Sequence, residues 1–194
     1  MSFFSEELDR VLKGEGIVSE SYTAFDRVLD EQQMRRGNIY HRAEKYFEGL
    51  LSDYAVASYP HSRIAEGEGS AHVTVRVRGA GIKSFCKSNA FTLNSFFLTM
   101  LTQTLHRTIR EDKLLITSVT SGRSTAEMQK IFGMFVQTVP VVTADSGCSV
   151  VETVHAMQDQ FIRTQSCSIF PYTELVGKYG CKSEIIVIRT PYAA

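Results

Sequence analysis

Two short runs constrain the fold most. Leu114 to Thr120 and Met134 to Val142 are mostly apolar or β-branched. Each is short for a globular helix and too apolar to lie in water, so both read as strands. Around them the apolar residues recur at helical spacing. Asn38 to about Ser52 puts Ile39, Ala43, Tyr46, Phe47, Leu50 and Leu51 on one face. Thr92 to Arg110 does the same with Leu93, Phe96, Phe97, Met100, Leu101 and Leu105. Strands interleaved with amphipathic helices predict an α/β sandwich, a sheet covered by helices.

The remaining elements follow from caps and breakers. Ser5 can cap a first helix with Glu6 and Glu7 in its opening turn and Phe4, Leu8, Val11 and Leu12 as its apolar set, stopped at Gly14. Ser149 and Glu152 form a capping-box pattern ahead of Val150, Val154, Met157 and Phe161. Phe170 to Tyr179 reads as a short helix ended by Gly180, and Glu184 to Arg189 as a last strand before Pro191. His72 to Arg78 alternates strictly, Val73, Val75 and Val77 against Thr74, Arg76 and Arg78, which predicts a half-buried strand. Pro60, Gly67 and Gly69 make Tyr59 to Ser70 the best internal boundary. The division is thus a helical segment at 1–58, a loop at 59–70 and the main unit at 71–194.

Composition narrows the partners. The chain has 194 residues, of which 21 are basic and 21 acidic, and a formal net charge of zero argues against a nucleic-acid binder or an anionic-membrane binder. Cys86, Cys148, Cys167 and Cys181 include no C-x-x-C pair, so neither zinc nor a disulfide is demanded, and reduced thiols in a cytoplasmic protein are the expectation. No signal peptide is recognisable at the start. The apolar stretch from Phe96 to Leu101 is too short to span a bilayer.

The familiar catalytic patterns are missing. No G-x-S-x-G, H-E-x-x-H or G-x-x-x-x-G-K-[ST] occurs. Gly79-Ala80-Gly81 lacks the third glycine of a dinucleotide fingerprint, Ser84 standing there, and reads as a plain strand-to-helix turn. His41, His61, His72, His106 and His155 show no paired-ligand spacing, and His106 and His155 fall on helices as surface or core-edge residues. Arg35, Arg36, Arg42 and Lys45 read as a solvated helix face. No catalytic residue and no metal ligand is assigned.

One stretch resists a purely structural reading. "KIFGMFVQTVPVV", Lys130 to Val142, places a glycine, two aromatics, an amide and a hydroxyl before a proline within an expected strand. Gly and Pro there signal a bulge, an edge or a close backbone approach. Phe135, Val136 and Val139 are most simply core. Arg123 in the preceding turn reads first as a loop brace, with ligand contact as the alternative, and Gln137 and Thr138 stay open between strand and ligand.

Ser121-Gly122-Arg123, followed by Gly133, Phe135, Val136, Thr138 and Pro140, resembles the "S-G-R" and "V-G-x-F-V-N-T-x-P-x-R" of condensation domains of non-ribosomal peptide synthetases. "AEKYFEGLL" is similar to that family's "A-x-x-Y-W-x-x-x-L", "FTLNSFFLTMLTQTL" to its "x-T-x-N-x-x-L-x-A", and "FPYTELV" to its "P-F-E-x-L-V". The matches run in order along nearly the whole chain. Gln137 replaces the family's asparagine, Val142 stands where an arginine is usual, and the signature H-H-x-x-x-D-G is absent from these residues.

The resemblance implies a two-layer sandwich like one lobe of the chloramphenicol acetyltransferase-like fold, a mixed sheet covered by helices. It implies the C-terminal lobe of such a domain, truncated and beginning after the signature histidines, inactive without the N-terminal lobe. The family joins a carrier-bound acyl or peptidyl thioester to an amine. Peptidyl or acyl carrier proteins, bearing phosphopantetheine, are the implied partners, with no cofactor held directly and self-association through an exposed lobe interface. Ser121, Gly122, Arg123, Gly133, Phe135, Gln137 and Thr138 are the implied wall of the substrate tunnel. An epimerisation or cyclisation domain, a CoA-dependent acyltransferase and a non-catalytic docking module are the alternatives.

Overall fold

The computed structural model describes residues 2–16, 22–56, 72–123, 125–131, 133–145 and 147–189, with side chains from residue 5 onward. Its elements in chain order are α1 (Ser2–Leu12), α2 (Ala24–Arg35), α3 (Asn38–Leu50), β1 (Ala55–Val56), α4 (Gly79–Ser88), α5 (Leu93–Ile109), β2 (Lys113–Thr120), α6 (Ala126–Lys130), β3 (Gln137–Ala144), α7 (Val150–Ser166), α8 (Tyr172–Tyr179) and β4 (Ile186–Val187).

The sheet is mixed and centred on β2. Strand β3 runs antiparallel to it, Leu115 opposite Val142 and Thr117 opposite Pro140. On its other side β1 and β4 both pair with β2 in parallel. Because β2 is paired along both edges and covered on both faces, its residues from Leu114 to Ser118 are all buried, giving a continuous run and no alternation.

One face carries a core of Leu114, Ile116, Val139 and Val141 under Leu98 of α5 and Met157 and Phe161 of α7. The other carries Leu115 and Val142 under Ala43 and Phe47 of α3 and Phe170 and Leu175 by α8. Fully burying a side chain of this size contributes about 1.5–3 kcal/mol, so both layers are needed to hold β2. The expected mixed sheet covered by helices is present, and α3 with α8 adds a helical layer on the second face.

Among the described strands β3 is an edge, which explains its proline. The Thr117 N–H bonds the Ile185 carbonyl on the β4 side, so its partner Pro140 turns its own nitrogen outward, where no ladder donor is required. The backbone N–H and carbonyl of Val142 also face outward, and there the Gln160 side chain of α7 closes the edge. The Val142 N–H donates to Gln160 Oε1 at 3.2 Å, and Gln160 Nε2 donates to the Val142 carbonyl at 2.6 Å. Around the same edge the Tyr46 hydroxyl of α3 meets Thr164 Oγ1 of α7 at 2.9 Å.

The Ser149 cap is made as expected, but the Ser5 cap is not: α1 already begins at Ser2, so Ser5 lies within the helix. Ser149 and Glu152 bond reciprocally at the start of α7, and Thr92 caps α5 through the Ser95 N–H. Gly180 ends α8 with a positive φ of 65°.

Several expectations are corrected. His72 to Arg78 forms no strand and lies exposed with its three valines, because alternation alone supplies no partner for the backbone. The strand expected from Met134 begins at Gln137, so Met134, Phe135 and Val136 precede it, and Val136, read as core, is exposed. The last strand shrinks to Ile186–Val187. Gly79 to Gly81 form the first turn of α4 itself. His106 is buried at 4% exposure, its Nδ1–H donating to the Glu111 carbonyl at 2.7 Å with Nε2 2.9 Å from Thr143 Oγ1, so it braces the end of α5. The boundary loop at 59–70 lies outside the described residues.

Candidate functional site

Three clefts meet where β2 ends and β3 begins. The first, of ≈ 470 Å³, is lined by Thr120 to Arg123 and Gln137, by α2 and α3 through Arg27, Met34 and Ile39, and by the end of α7. The second, ≈ 300 Å³, lies beyond Thr120 and Ser121 toward Asn94 and Ser95 at the start of α5. The third, ≈ 400 Å³, runs from Gln137 and Thr138 past Ser168 and Ile169 to Tyr172 of α8. Ser121 therefore borders two clefts, and so does Gln137.

The loop is built around Phe135. Gly122 has φ +65°, and a Cβ on it would fall 1.9 Å from the Phe135 carbonyl oxygen, so backbone conformation and space both exclude a side chain. A Cβ on Gly133 would come within 3.1 Å of the Phe135 ring, with Ala24 of α2 at 3.5 Å. The Arg123 guanidinium carbon sits 4.6 Å from the centroid of that ring. Its two terminal nitrogens donate to the carbonyls of Met128, of Ile131 at 2.8 Å and of Gly133 at 2.7 Å.

Arg123 is thus occupied in binding the turn that carries α6 back to β3. The fork of the guanidinium makes this possible: one side chain reaches three carbonyls that face the same point. Gly122, Arg123, Gly133 and Phe135 form one packed unit, which presents Ser121 on one side and Gln137 on the other. Ser121 is exposed, while Gln137 and Thr138 are half-buried. The clefts are lined by hydroxyl and amide groups, by apolar side chains and by the charged Arg27, Arg35, Glu31 and Arg189, a mixture that can bind an extended chain carrying amides.

Sequence reasoning missed several contributors. Gln165 of α7 donates from Nε2 to Thr120 Oγ1 at 2.8 Å, across the line where the first two clefts meet. Helix α2, which lines the first cleft, went unrecognised although Thr23 and Asp26 form a capping box at its start. Its residues are all unburied, so its apolar stripe is shallow. At the border of the third cleft, which Arg35 lines, Glu174 of α8 accepts from the Tyr40 hydroxyl and pairs with Arg35 at 3.2 Å. Burial, followed by this bond to Glu174, pushes the Tyr40 phenol up to about 12. Among the described residues no group of three or more His, Cys, Asp or Glu is arranged to hold a metal ion. No described helix is long and apolar enough to cross a membrane.

The family model named Condensation domain matches residues 4–185. Among curated relatives, a plipastatin synthase polypeptide of Bacillus subtilis (strain 168) is 25% identical over 168 residues, which are 82% of this chain and 5% of the relative. A surfactin synthase polypeptide of the same organism is 22% identical over 180 residues, 89% of this chain and 5% of the relative. The first condensation domain of the calcium-dependent antibiotic synthetase, solved with a substrate analogue, superposes with a TM-score of 0.69 at 22% identity, covering 98% of this chain and 44% of that one. The chain belongs to the condensation-domain family of non-ribosomal peptide synthetase type. It spans about one-twentieth of the curated relatives it matches.

Proposed function

We propose that these residues form one wall of the substrate tunnel of a condensation domain, in which a carrier-bound acyl or peptidyl thioester is joined to an amine to give an amide. The observation that carries the reading is the line of clefts along Thr120, Ser121, Gln137 and Thr138, lined by both hydrogen-bonding and apolar groups. A phosphopantetheine arm delivered by a carrier protein is a chain of that chemistry. Its amides suit Ser121 and Gln137, and its methylenes suit Ile162 and Ile169, which line the first cleft.

In this reading the wall works through position. Both reactants arrive tethered, and holding the thioester carbonyl near the amine removes much of the entropic barrier. The amine attacks the carbonyl carbon, the C–S bond breaks, and the thiol leaves on its own carrier. The base or oxyanion donor is a histidine of an H-H-x-x-x-D-G segment, which these residues do not contain. Ser121, Gln137 and Thr138 bind the arm. Gly122, Arg123, Gly133 and Phe135 fix the loop that presents them. The protein works in the cytoplasm with carrier proteins and a second lobe. Exposed apolar groups such as Phe25 at 83% and Val73 at 82% support contact with another polypeptide surface, a second copy included.

The test is amide formation by the 194 residues mixed with loaded donor and acceptor carriers, followed by mass spectrometry. No product is expected. Product formed by these residues alone would contradict the assignment of the base to another segment.

A further inference from the structure

The first two clefts at the end of β2 share a border on which one side-chain hydrogen bond lies. Thr120, Ser121, Ile162 and Gln165 line both of them, and the hydrogen bond from Gln165 Nε2 to Thr120 Oγ1 crosses between. Gln165 is exposed, as is Ile162 three residues earlier on α7. An exposed side-chain bond of this kind is weak, since water replaces it readily. Rotating the glutamine side chain would take that bond off the border between ≈ 470 Å³ on the Gly122 and Gln137 side and ≈ 300 Å³ on the Asn94 and Ser95 side.

We propose that Gln165 is a gate and positioning residue. It closes the passage by bonding Thr120, and it opens by exchanging that bond for one to an amide of a chain lying through both clefts. The exchange is chemically even. The Gln165 amide gives up one acceptor and gains another, and its carbonyl can accept from the N–H of the same chain. Ile162, exposed one turn earlier on α7 and lining both clefts, offers the methylenes beside that amide an apolar surface. A plain alkyl chain gains nothing from the exchange, and an ether chain offers only a weak acceptor and no donor, so both displace the Gln165–Thr120 bond at a loss. The gate thereby selects amide-bearing arms over plain alkyl or ether chains. This inference rests on the tunnel-wall reading.

Thr120 and Gln165 make opposite predictions, which a merely structural bond would not. Thr120→Val removes the bond that keeps the gate shut and leaves Gln165 free, so binding of an amide chain tightens by about 2- to 5-fold. Gln165→Ala removes that bond and the group that holds the amide, so binding weakens by about 5-fold. The probe is pantetheine, titrated into the isotope-labelled chain with amide shifts followed on both sides, at Asn94 and Ser95 and at Gly122 and Gln137. The control probe is an oligo(ethylene glycol) thiol of equal length, whose binding is not weakened by Gln165→Ala.

Opposite shifts of the two variants, limited to the amide probe, bear out the gate. Shifts of the same sign, or none, while pantetheine still perturbs both clefts, overturn the gate and leave the tunnel wall standing. Pantetheine that perturbs neither cleft overturns the tunnel wall and the gate with it.

Discussion

The α-carbon of Gly122 and the carbonyl of Phe135 lie so close that a methyl group between them is impossible, an added Cβ falling 1.9 Å from that oxygen. The contact ties the end of β2 to the segment entering β3, 13 residues later in the chain. Gly122→Ala would force a left-handed conformation costing about 1–2 kcal/mol on an alanine and would also push the two segments apart. A total loss of about 2–4 kcal/mol is expected, in the range of strained or overpacked sites. Urea denaturation of variant and parent measures it, and equal midpoints would contradict the close approach.

Arg123 holds the same loop by its fork. Arg123→Lys keeps the charge but cannot reach three carbonyls at once. Amide hydrogen exchange should therefore quicken across residues 128–135 and stay unchanged in α5 and α7. A loss of about 1.5–3 kcal/mol accompanies it, as for hydrogen bonds to charged groups. Unchanged exchange in the loop would refute the bracing role.

Gln160 closes the outer edge of β3 at Val142. Gln160→Ala should cost about 1–3 kcal/mol, because one backbone donor and one acceptor lose their partners. It should also raise the tendency to associate, since an open strand edge templates pairing with another chain. Light scattering at matched concentration, with denaturation in parallel, reads both effects. A variant as stable and as dispersed as the parent would show that the edge needs no cover.

Tyr40 gives a prediction in alkali. Its phenol is pushed up to about 12 by burial and by its bond to Glu174. A free tyrosine ionises near about 10, so between these values the unfolded chain loses a proton that the folded chain keeps. The stabilisation is full below about pH 10 and is lost as pH rises through about 12. Lys178, held charged chiefly by its bond to Glu44, has a raised value and also loses its contribution in alkali. Comparing Tyr40→Phe with the parent cancels that shared effect. The stability difference between the two should shrink from about pH 9 to about pH 12. A constant difference would mean the Tyr40 phenol is not perturbed.

The helices were largely legible because their signals are local. Thr92 and Arg110 bound α5 as the pattern predicts, and the Ser149–Glu152 box starts α7. Strand extent was less legible, since a strand exists only where a partner does. The regular alternation of Val73, Val75 and Val77 has no partner among the described residues, whereas two-residue β4 has β2 beside it. At the site, the motif marks Gly122, Arg123 and Gly133, but only the fold shows that all three converge on Phe135. Gln165 carries no motif at all. Its importance comes from lying opposite Thr120, 45 residues away in the chain, and no local pattern encodes that meeting.

The most direct measurement on the proposed tunnel wall is photo-crosslinking with a carrier protein whose pantetheine arm carries a diazirine acyl group. The chain is mixed with this carrier, irradiated, digested and mapped by mass spectrometry. Crosslinks concentrated at 120–123, at 137–138 and on α7 near Gln165, competed away by free pantetheine, are the predicted result. Crosslinks scattered over the surface, or gathered at a face remote from the end of β2, would contradict the account.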